Sequence, residues 1–362
     1  MQDIISELYN INAIKIGNFT LKNGEKSKYY FNLRNIISYP KILSHIGDEI
    51  YKHIPKNCNM ICGVPYGGIP LATYISTKYS IPLILLRKEV KTHGLKNQID
   101  GNIESNNKCF VLEDTITTGK SLSDAIKILL DNGVNVCKSF GVINRQEGSL
   151  CESLITKNDI LIWLLRKNMN EKSRICFSAD LQDPLPILDK IGKYICAVKL
   201  HCDAFEYPIN EIIDLSIRDR FMIIEDRKFN DISYIVNKQY LKYKNWVDFV
   251  TVHGSISHLG NITGAIVVAN MSNINALDVT NRSINLLKSF SNQVAGFVSQ
   301  SRIMDNVLHF TPGISLNHKK KNDQQYRVPL NIDTDVFIIG RAIYNSEDPK
   351  QVVEKLIQDY NI

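Results

Sequence analysis

The segment Glu113-Asp114-Thr115-Ile116-Thr117-Thr118-Gly119-Lys120-Ser121 follows a short apolar run, Cys109-Phe110-Val111-Leu112, and leads into a helical pattern. It reads as a strand, an acidic pair at its C-terminal end, and a loop of hydroxyls and glycine that opens a helix. A helix N-terminus presents unpaired N–H groups to an anion such as phosphate. Gly119 lets the backbone approach closely, and Thr117, Thr118 and Ser121 add hydroxyl donors. The two carboxylates accept from ribose-type hydroxyls or act through a hydrated Mg²⁺. An ordinary βα turn would explain the Thr-Gly step alone, but not the acidic pair, loop and strand together. A second constellation lies downstream. Ala197-Val198-Lys199-Leu200-His201 and Ile223-Ile224-Glu225-Asp226-Arg227-Lys228-Phe229-Asn230-Asp231 are apolar runs that end in charge. Residues two apart in a strand share a face, so Asp226 and Lys228 point the same way. A solvated turn explains any one of these charges, but not two neighbouring strands that both end in inward charge.

Elements must hold these groups in place. In the first half, strand-like runs at 60–64, 82–86, 108–112 and 136–143 alternate with helix-like stretches at 69–79 and 121–132, and Gly133 sits where a helix C-cap glycine belongs. Such alternation implies a parallel sheet with helices on its faces. In the second half, strands are expected at 175–181, 195–201, 221–227, 249–253, 265–271, 295–299, 308–312 and 336–340, with helix-length spacers. Eight βα units in about 200 residues fall at the small end of the range for a TIM (β/α)8 barrel, whose active sites lie at the C-terminal ends of the strands. The fold class is therefore α/β, with the domains divided as 1–152 and 153–362 and a helix at 159–168 leading into the barrel.

The Glu113–Ser121 segment resembles the PRPP-binding motif of the type I phosphoribosyltransferases. Three further segments are similar to orotate phosphoribosyltransferase: residues 19–34 to its N-terminal hood, 63–72 to its pyrophosphate loop, and 87–94 to its mobile catalytic loop. The resemblance implies that Lys22, Tyr30 and Phe31 meet the ligand in the hood. It implies that Arg87, Lys88, Lys91 and His93 bind pyrophosphate, with Lys91 and His93 catalytic and part of the set crossing a dimer interface. A dense anionic leaving group calls for such a cluster of donors. Arg145 would pair the orotate carboxylate bidentately. No protein side chain is expected to ligate metal directly; Mg²⁺ would arrive with PRPP near Glu113 and Asp114. Asn144 stands where relatives have Asp, and Gly67 where bacterial relatives often have Lys.

The signature Asp226-x-Lys228-x-x-Asp231, with Lys199, resembles orotidine monophosphate decarboxylase, and the similarity runs through the whole second half. It implies an alternating charge network in which Asp231 comes from a partner subunit. No metal or organic cofactor is implied for this step: CO₂ leaves C6 of the pyrimidine and Lys228 delivers a proton to that carbon. The alternating signs have a reason, since each carboxylate keeps a neighbouring lysine charged. A carboxylate beside that of the substrate favours its loss, and the ammonium stabilises the developing carbanion. The resemblance also implies that Asp180, beside Ser178, binds ribose, that His201 belongs to the site, and that Ser272 touches the base edge. Pro312 would line the site, Gln324 and Tyr326 would fold over the phosphate, and Gly340 and Arg341 would sit at the phosphate end. Ile235 stands where relatives have Thr, and Asn273-Ile274-Asn275 replaces a Ser-x-Gly pattern. The order of the two halves resembles the bifunctional UMP synthases, which implies orotate, PRPP and OMP as substrates and a homodimer with shared sites.

Composition agrees with two folded domains. The 362 residues are 44% hydrophobic and 22% charged, a globular balance. No apolar run approaches the ~20 residues of a membrane span, and the N-terminus has no basic segment followed by an apolar one, so a cytoplasmic protein is expected. The net charge of +6 fits phosphate and carboxylate ligands, while the absence of a basic helix or aromatic-basic interleaving argues against nucleic acid. Lys319-Lys320-Lys321 reads as a solvated loop. The eight cysteines are scattered and complete no zinc set, so all are expected to be reduced, buried small residues. A nucleotide-binding pseudoenzyme is the competing assignment, against which stands the presence of every core charged residue of both motifs.

Overall fold

The computed structural model describes residues 1–21, 24–87, 98–104, 106–146, 151–272, 278–316, 319–320 and 325–362. The chain divides into two compact units, Met1–Ile16 with Tyr29–Lys157, and Gly17–Lys28 with Asn158–Ile362. The strands are, in order, β1 (Ile14–Thr20), β2 (Lys26–Phe31), β3 (Met60–Gly63), β4 (Leu83–Leu86), β5 (Ile99–Asp100), β6 (Lys108–Ile116), β7 (Asn135–Asn144) and β8 (Ser153–Thr156), followed by β9 (Ile175–Ser178), β10 (Ala197–Leu200), β11 (Met222–Phe229), β12 (Phe249–His253), β13 (Ala265–Val268), β14 (Val294–Val298), β15 (Leu308–Thr311), β16 (Lys319–Lys320), β17 (Gln325–Tyr326) and β18 (Val336–Ile339).

The first unit carries a six-stranded sheet in the order β5-β4-β3-β6-β7-β8, parallel except for the antiparallel β4–β5 edge. Its central strand β3 is buried along its length, as expected of a strand covered on both faces. The helix Ile69–Tyr79 follows β3, and Lys120–Asp131 follows β6. Gly133, with φ of 78°, takes the left-handed conformation past the second helix, and its N–H returns to the Leu130 carbonyl. A first helix, Gln2–Asn10, was not foreseen; its apolar stripe is only Ile4, Ile5 and Leu8, too short to register as a period.

The expectation that all eight cysteines are reduced is corrected here. Cys58 and Cys137 form a disulfide, with Cα atoms 6.2 Å apart. That separation lies within ordinary disulfide reach. The two residues are 79 positions apart in sequence, so spacing alone gave no sign of the pairing. The other six are free, four of them buried.

The second unit is a closed barrel of eight parallel strands in the order β9-β10-β11-β12-β13-β14-β15-β18. Several expected strands end earlier than anticipated, β9 at Ser178 rather than residue 181, although the Ala179 N–H still donates to the Lys199 carbonyl. Within this unit Lys28 is buried, its Nζ donating to Asp248 at 2.7 Å, and Asp248 also accepts the Ile223 N–H. A buried ammonium needs such a partner to remain charged. Among the described residues no helix is long and apolar enough to cross a membrane.

Candidate active sites

In the barrel, register sets the chemistry. Lys199 pairs with Ser178 on one side and Ile224 on the other, so the C-terminal ends of β9, β10 and β11 meet at the mouth. The pairing of β11 with β12 then slips. Between the pairs Glu225–Val250 and Phe229–Val252, three residues of β11 face Thr251 alone. Lys228, within this bulge, has φ of 52°. Asp226 and Lys228 therefore converge through a bulge rather than by the regular alternation expected of a strand.

Asp226 is the hub. Its Oδ2 lies 2.6 Å from Lys199 Nζ, 3.0 Å from Lys228 Nζ and 3.1 Å from His201 Nε2. Its Oδ1 accepts the Thr251 hydroxyl at 2.7 Å. Burial alone would push the Asp226 carboxyl up, but the Lys199 charge, the His201 hydrogen bond and the Lys228 charge overcome it and hold it well below the usual range. Lys199 shows the mirror image: burial works against its charge, yet Asp226 and Asp180 raise it above the ordinary lysine value. Asp180 lies 4.0 Å from Lys199 and 3.5 Å from His201, and the Ser178 hydroxyl is 3.1 Å from its nearer oxygen.

These groups open into a cavity of about 230 Å³. Ten residues singled out in the sequence line it: Ser178, Asp180, Lys199, Asp226, Lys228, Ser272, Pro312, Tyr326, Gly340 and Arg341. Its apolar walls were not foreseen: Val268, Val298 and Ile338 are strand aliphatics, which carry no sign of which face they line, and Met271 and Ile314 lie beyond strand ends. Asp231 stands apart from the network. It is exposed, and its Oδ1 accepts the Ile232 N–H at 2.7 Å. Gln324 and residues 273–275 lie outside the described residues. Thr251 was missed as well; the one available signal was a hydroxyl inside the apolar run of β12.

In the first unit, β6 carries the acidic pair and runs two residues beyond it to Ile116, later than the strand end expected at residue 112, and Gly119, with φ of 80°, turns the chain into the helix Lys120–Asp131. No side chain caps that helix, so its first N–H groups face the loop. Thr117 is half-buried, while Thr118, Lys120 and Ser121 are exposed. Glu113 is buried, and burial, then the hydrogen bond and charge of Asp114, push its carboxyl up to about 8. Gly67 of the segment after β3 lies against this pair; a Cβ there would stand 2.0 Å from Asp114 Oδ2. A side chain at position 67 is therefore incompatible with this placement of Asp114.

Arg145 follows β7, and its guanidinium lies 5.9 Å from the centre of the Phe31 ring. The Asn144 amide donates to the Cys151 carbonyl at 2.9 Å and its Oδ1 accepts the Gln146 N–H at 2.8 Å, so this amide shapes the turn that carries Arg145. Tyr30 is exposed. Arg87 is held by Asp100, Nε to Oδ2 at 2.6 Å and the second nitrogen to Oδ1 at 2.5 Å. Lys22, Lys88, Lys91 and His93 lie outside the described residues.

Residues 173–356 match the Orotidine 5'-phosphate decarboxylase / HUMPS family, and residues 34–153 match the phosphoribosyl transferase domain. A uridine 5'-monophosphate synthase of Bos taurus is 27% identical over 95% of this chain and 93% of its own. One of Naegleria gruberi is 28% identical over 96% of this chain and 93% of its own. An orotate phosphoribosyltransferase of Methanosphaera stadtmanae is 37% identical over 41% of this chain and 86% of its own.

Proposed function

The chain belongs to the Orotidine 5'-phosphate decarboxylase / HUMPS family and, through its first unit, to the orotate phosphoribosyltransferases, and on that premise we propose how its residues work. It is a bifunctional enzyme of pyrimidine biosynthesis. The first unit transfers ribose 5-phosphate from PRPP to orotate, releasing pyrophosphate and OMP, and the second decarboxylates OMP to UMP and CO₂.

The observation that carries the second assignment is the Lys199–Asp226–Lys228 array at the mouth of the barrel, with its carboxylate 2.6 and 3.0 Å from the two ammonium groups. In our scheme the OMP carboxylate enters beside Asp226, where two like charges disfavour the ground state. The bond from C6 to the carboxyl carbon breaks, the electron pair stays on C6, and CO₂ leaves. Lys228 Nζ stabilises the pair electrostatically and then gives it a proton, which it regains from water. Lys199 keeps Asp226 charged throughout. Asp180 takes a ribose hydroxyl, Ser272 the base edge, and Tyr326 and Arg341 the phosphate.

In the first unit, Glu113 and Asp114 take the ribose hydroxyls of PRPP, the open N-terminus of Lys120–Asp131 takes its 5-phosphate, and Arg145 takes the orotate carboxylate. Mg²⁺ comes with the diphosphate of PRPP. The adjacent acidic pair suits an ion that keeps its waters and its substrate ligands. A second copy of the chain supplies Asp231. The exposure of Asp231, and of Ile232 and Tyr234 beside it, supports this. The enzyme works in the cytoplasm.

The test uses carboxyl-labelled orotate, PRPP and Mg²⁺. Label should leave as CO₂, EDTA should stop it, and OMP added directly should still be decarboxylated. Absence of CO₂ from OMP itself would overturn the assignment of the barrel.

A further inference from the structure

Thr251, on β12, is 1% exposed, and none of the roles above uses it. It sits opposite the bulge of β11, the one place where the β11–β12 register breaks. There the Lys228 N–H donates to Thr251 Oγ1 at 2.9 Å. The Thr251 hydroxyl in turn donates to Asp226 Oδ1 at 2.7 Å. The direction of both bonds is fixed, because an amide N–H can only donate and an ionised carboxylate can only accept.

The two bonds have one consequence. Lys228 has φ of 52°, a left-handed conformation that side-chain-bearing residues resist and keep only where their surroundings over-determine it. The Asp226 carboxylate has Oδ2 occupied by Lys199, Lys228 and His201, so the setting of its plane depends on what holds Oδ1. A single buried hydroxyl anchors both. We propose that Thr251 is a positioning residue for decarboxylation, tying the backbone of Lys228 to the carboxylate of Asp226 so that the proton-donating ammonium and its counter-charge keep one geometry.

This rests on the decarboxylase assignment of the second unit. A buried threonine is more often simply a satisfied core residue, and such a role would affect stability without singling out the chemical step. Position 251 differs because its hydroxyl touches one catalytic side chain and the main chain of another. Losing it leaves a buried N–H without an acceptor and frees the carboxylate to rotate. The loss should fall on the step in which Lys228 meets developing charge, and so on kcat more than on KM.

The full chain carrying Thr251→Val, which keeps the shape and removes the hydroxyl, is compared with Thr251→Ser, which keeps the hydroxyl. Loss of a buried hydrogen bond to a charged group predicts a fall in kcat for OMP of roughly 10- to 100-fold in the valine variant, with KM changed less than about 3-fold. The serine variant should stay within about 5-fold of the parent. The acid limb of the kcat/KM profile should move to higher pH in the valine variant, because Asp226 has lost a donor. Binding of UMP by calorimetry reports that the barrel is folded; if the valine variant fails to bind it, Thr251→Ala takes its place with the same expected outcomes. Parent-like kcat and pH profile in a folded variant without the hydroxyl, or equal damage from serine and valine, overturns the inference. A parent chain that releases no CO₂ from OMP overturns the functional assignment instead.

Discussion

Replacing Asp226 by Asn preserves volume and removes the charge on which the barrel network is built. At 2.6 Å from Lys199 and 3.0 Å from Lys228, the attractions amount to roughly 6 kcal/mol each at an effective dielectric near 20, before the cost of burying the groups. Most of that is offset by desolvation, and breaking a buried pair by removing one partner costs about 3–5 kcal/mol. In a unit of this size each kcal/mol moves the melting temperature by about 2–4 °C, so the fall should be roughly 6–20 °C at neutral pH. The sign with pH follows from the two directions. Asp226 is depressed, so its contribution is present above the ordinary aspartate range and is lost as pH falls through its low native value. Lys199 is raised, so its contribution is present below the ordinary lysine value and is lost as pH climbs past its elevated one. The gap between parent and variant should therefore be widest between about pH 5 and 10 and narrow on either side. Thermal melts across that range, with OMP decarboxylation measured in parallel, test it. Because Lys199 and Lys228 would then face each other without the carboxylate between them, decarboxylation should fall by about 100-fold or more. A drop of less than about 2 °C at pH 7, or a gap that does not narrow below about pH 4, would refute the charge-compensation account.

Two further outcomes concern the first unit. Gly67→Ala places a methyl 2.0 Å from Asp114 Oδ2, so the carboxylate must move; kcat/KM for PRPP should fall by on the order of 100-fold while direct decarboxylation of OMP is unchanged, and an unaltered PRPP profile would show that Asp114 does not need its present place. Asp114→Asn should lower the Glu113 titration midpoint from about 8, though only part of the way to its ordinary value, because burial is the larger cause. A ¹³C carboxyl titration reads this directly, and an unmoved midpoint would remove Asp114 as a cause. Because Glu113 is raised, the folded state loses stability as pH climbs from about 4.5 through its native value, and the Asn variant should lose less.

How much of this was legible in the sequence depended on whether a feature was local. Strand β12 and the helix Ile69–Tyr79 match their expected bounds because a short apolar-rich run and an apolar face are each visible within a few residues. The same holds for Asp226, Lys228 and Lys199, which end apolar runs and meet in space. What was not legible is pairwise. The Cys58–Cys137 bond joins positions that no pattern connects, and the bulge of β11 exists only relative to β12. Thr251 draws its meaning from that bulge, so it reads as an incidental hydroxyl until the register is known. The fit of Gly67 against Asp114 is of the same kind, since glycine in a loop does not say what it makes room for.

The two sites treat a buried carboxyl in opposite ways, and the neighbours decide which. Glu113 and Asp226 are 6% and 8% exposed, so burial pushes both toward the neutral form. Beside Asp226 stand two lysines and a histidine, and the charged form wins. Beside Glu113 the nearest charge is another carboxylate, with the more weakly acting Arg34 opposing it, and the neutral form wins up to about pH 8. A fixed negative charge suits the site where a substrate carboxylate must be expelled. In our scheme the first site grips a ribose bearing both donors and acceptors, and a neutral Glu113 offers one O–H donor along with the acceptors of the pair. Converting either carboxyl to the other's state would put the wrong partner in front of the substrate. The sign of the second neighbour therefore matters as much as the depth of burial.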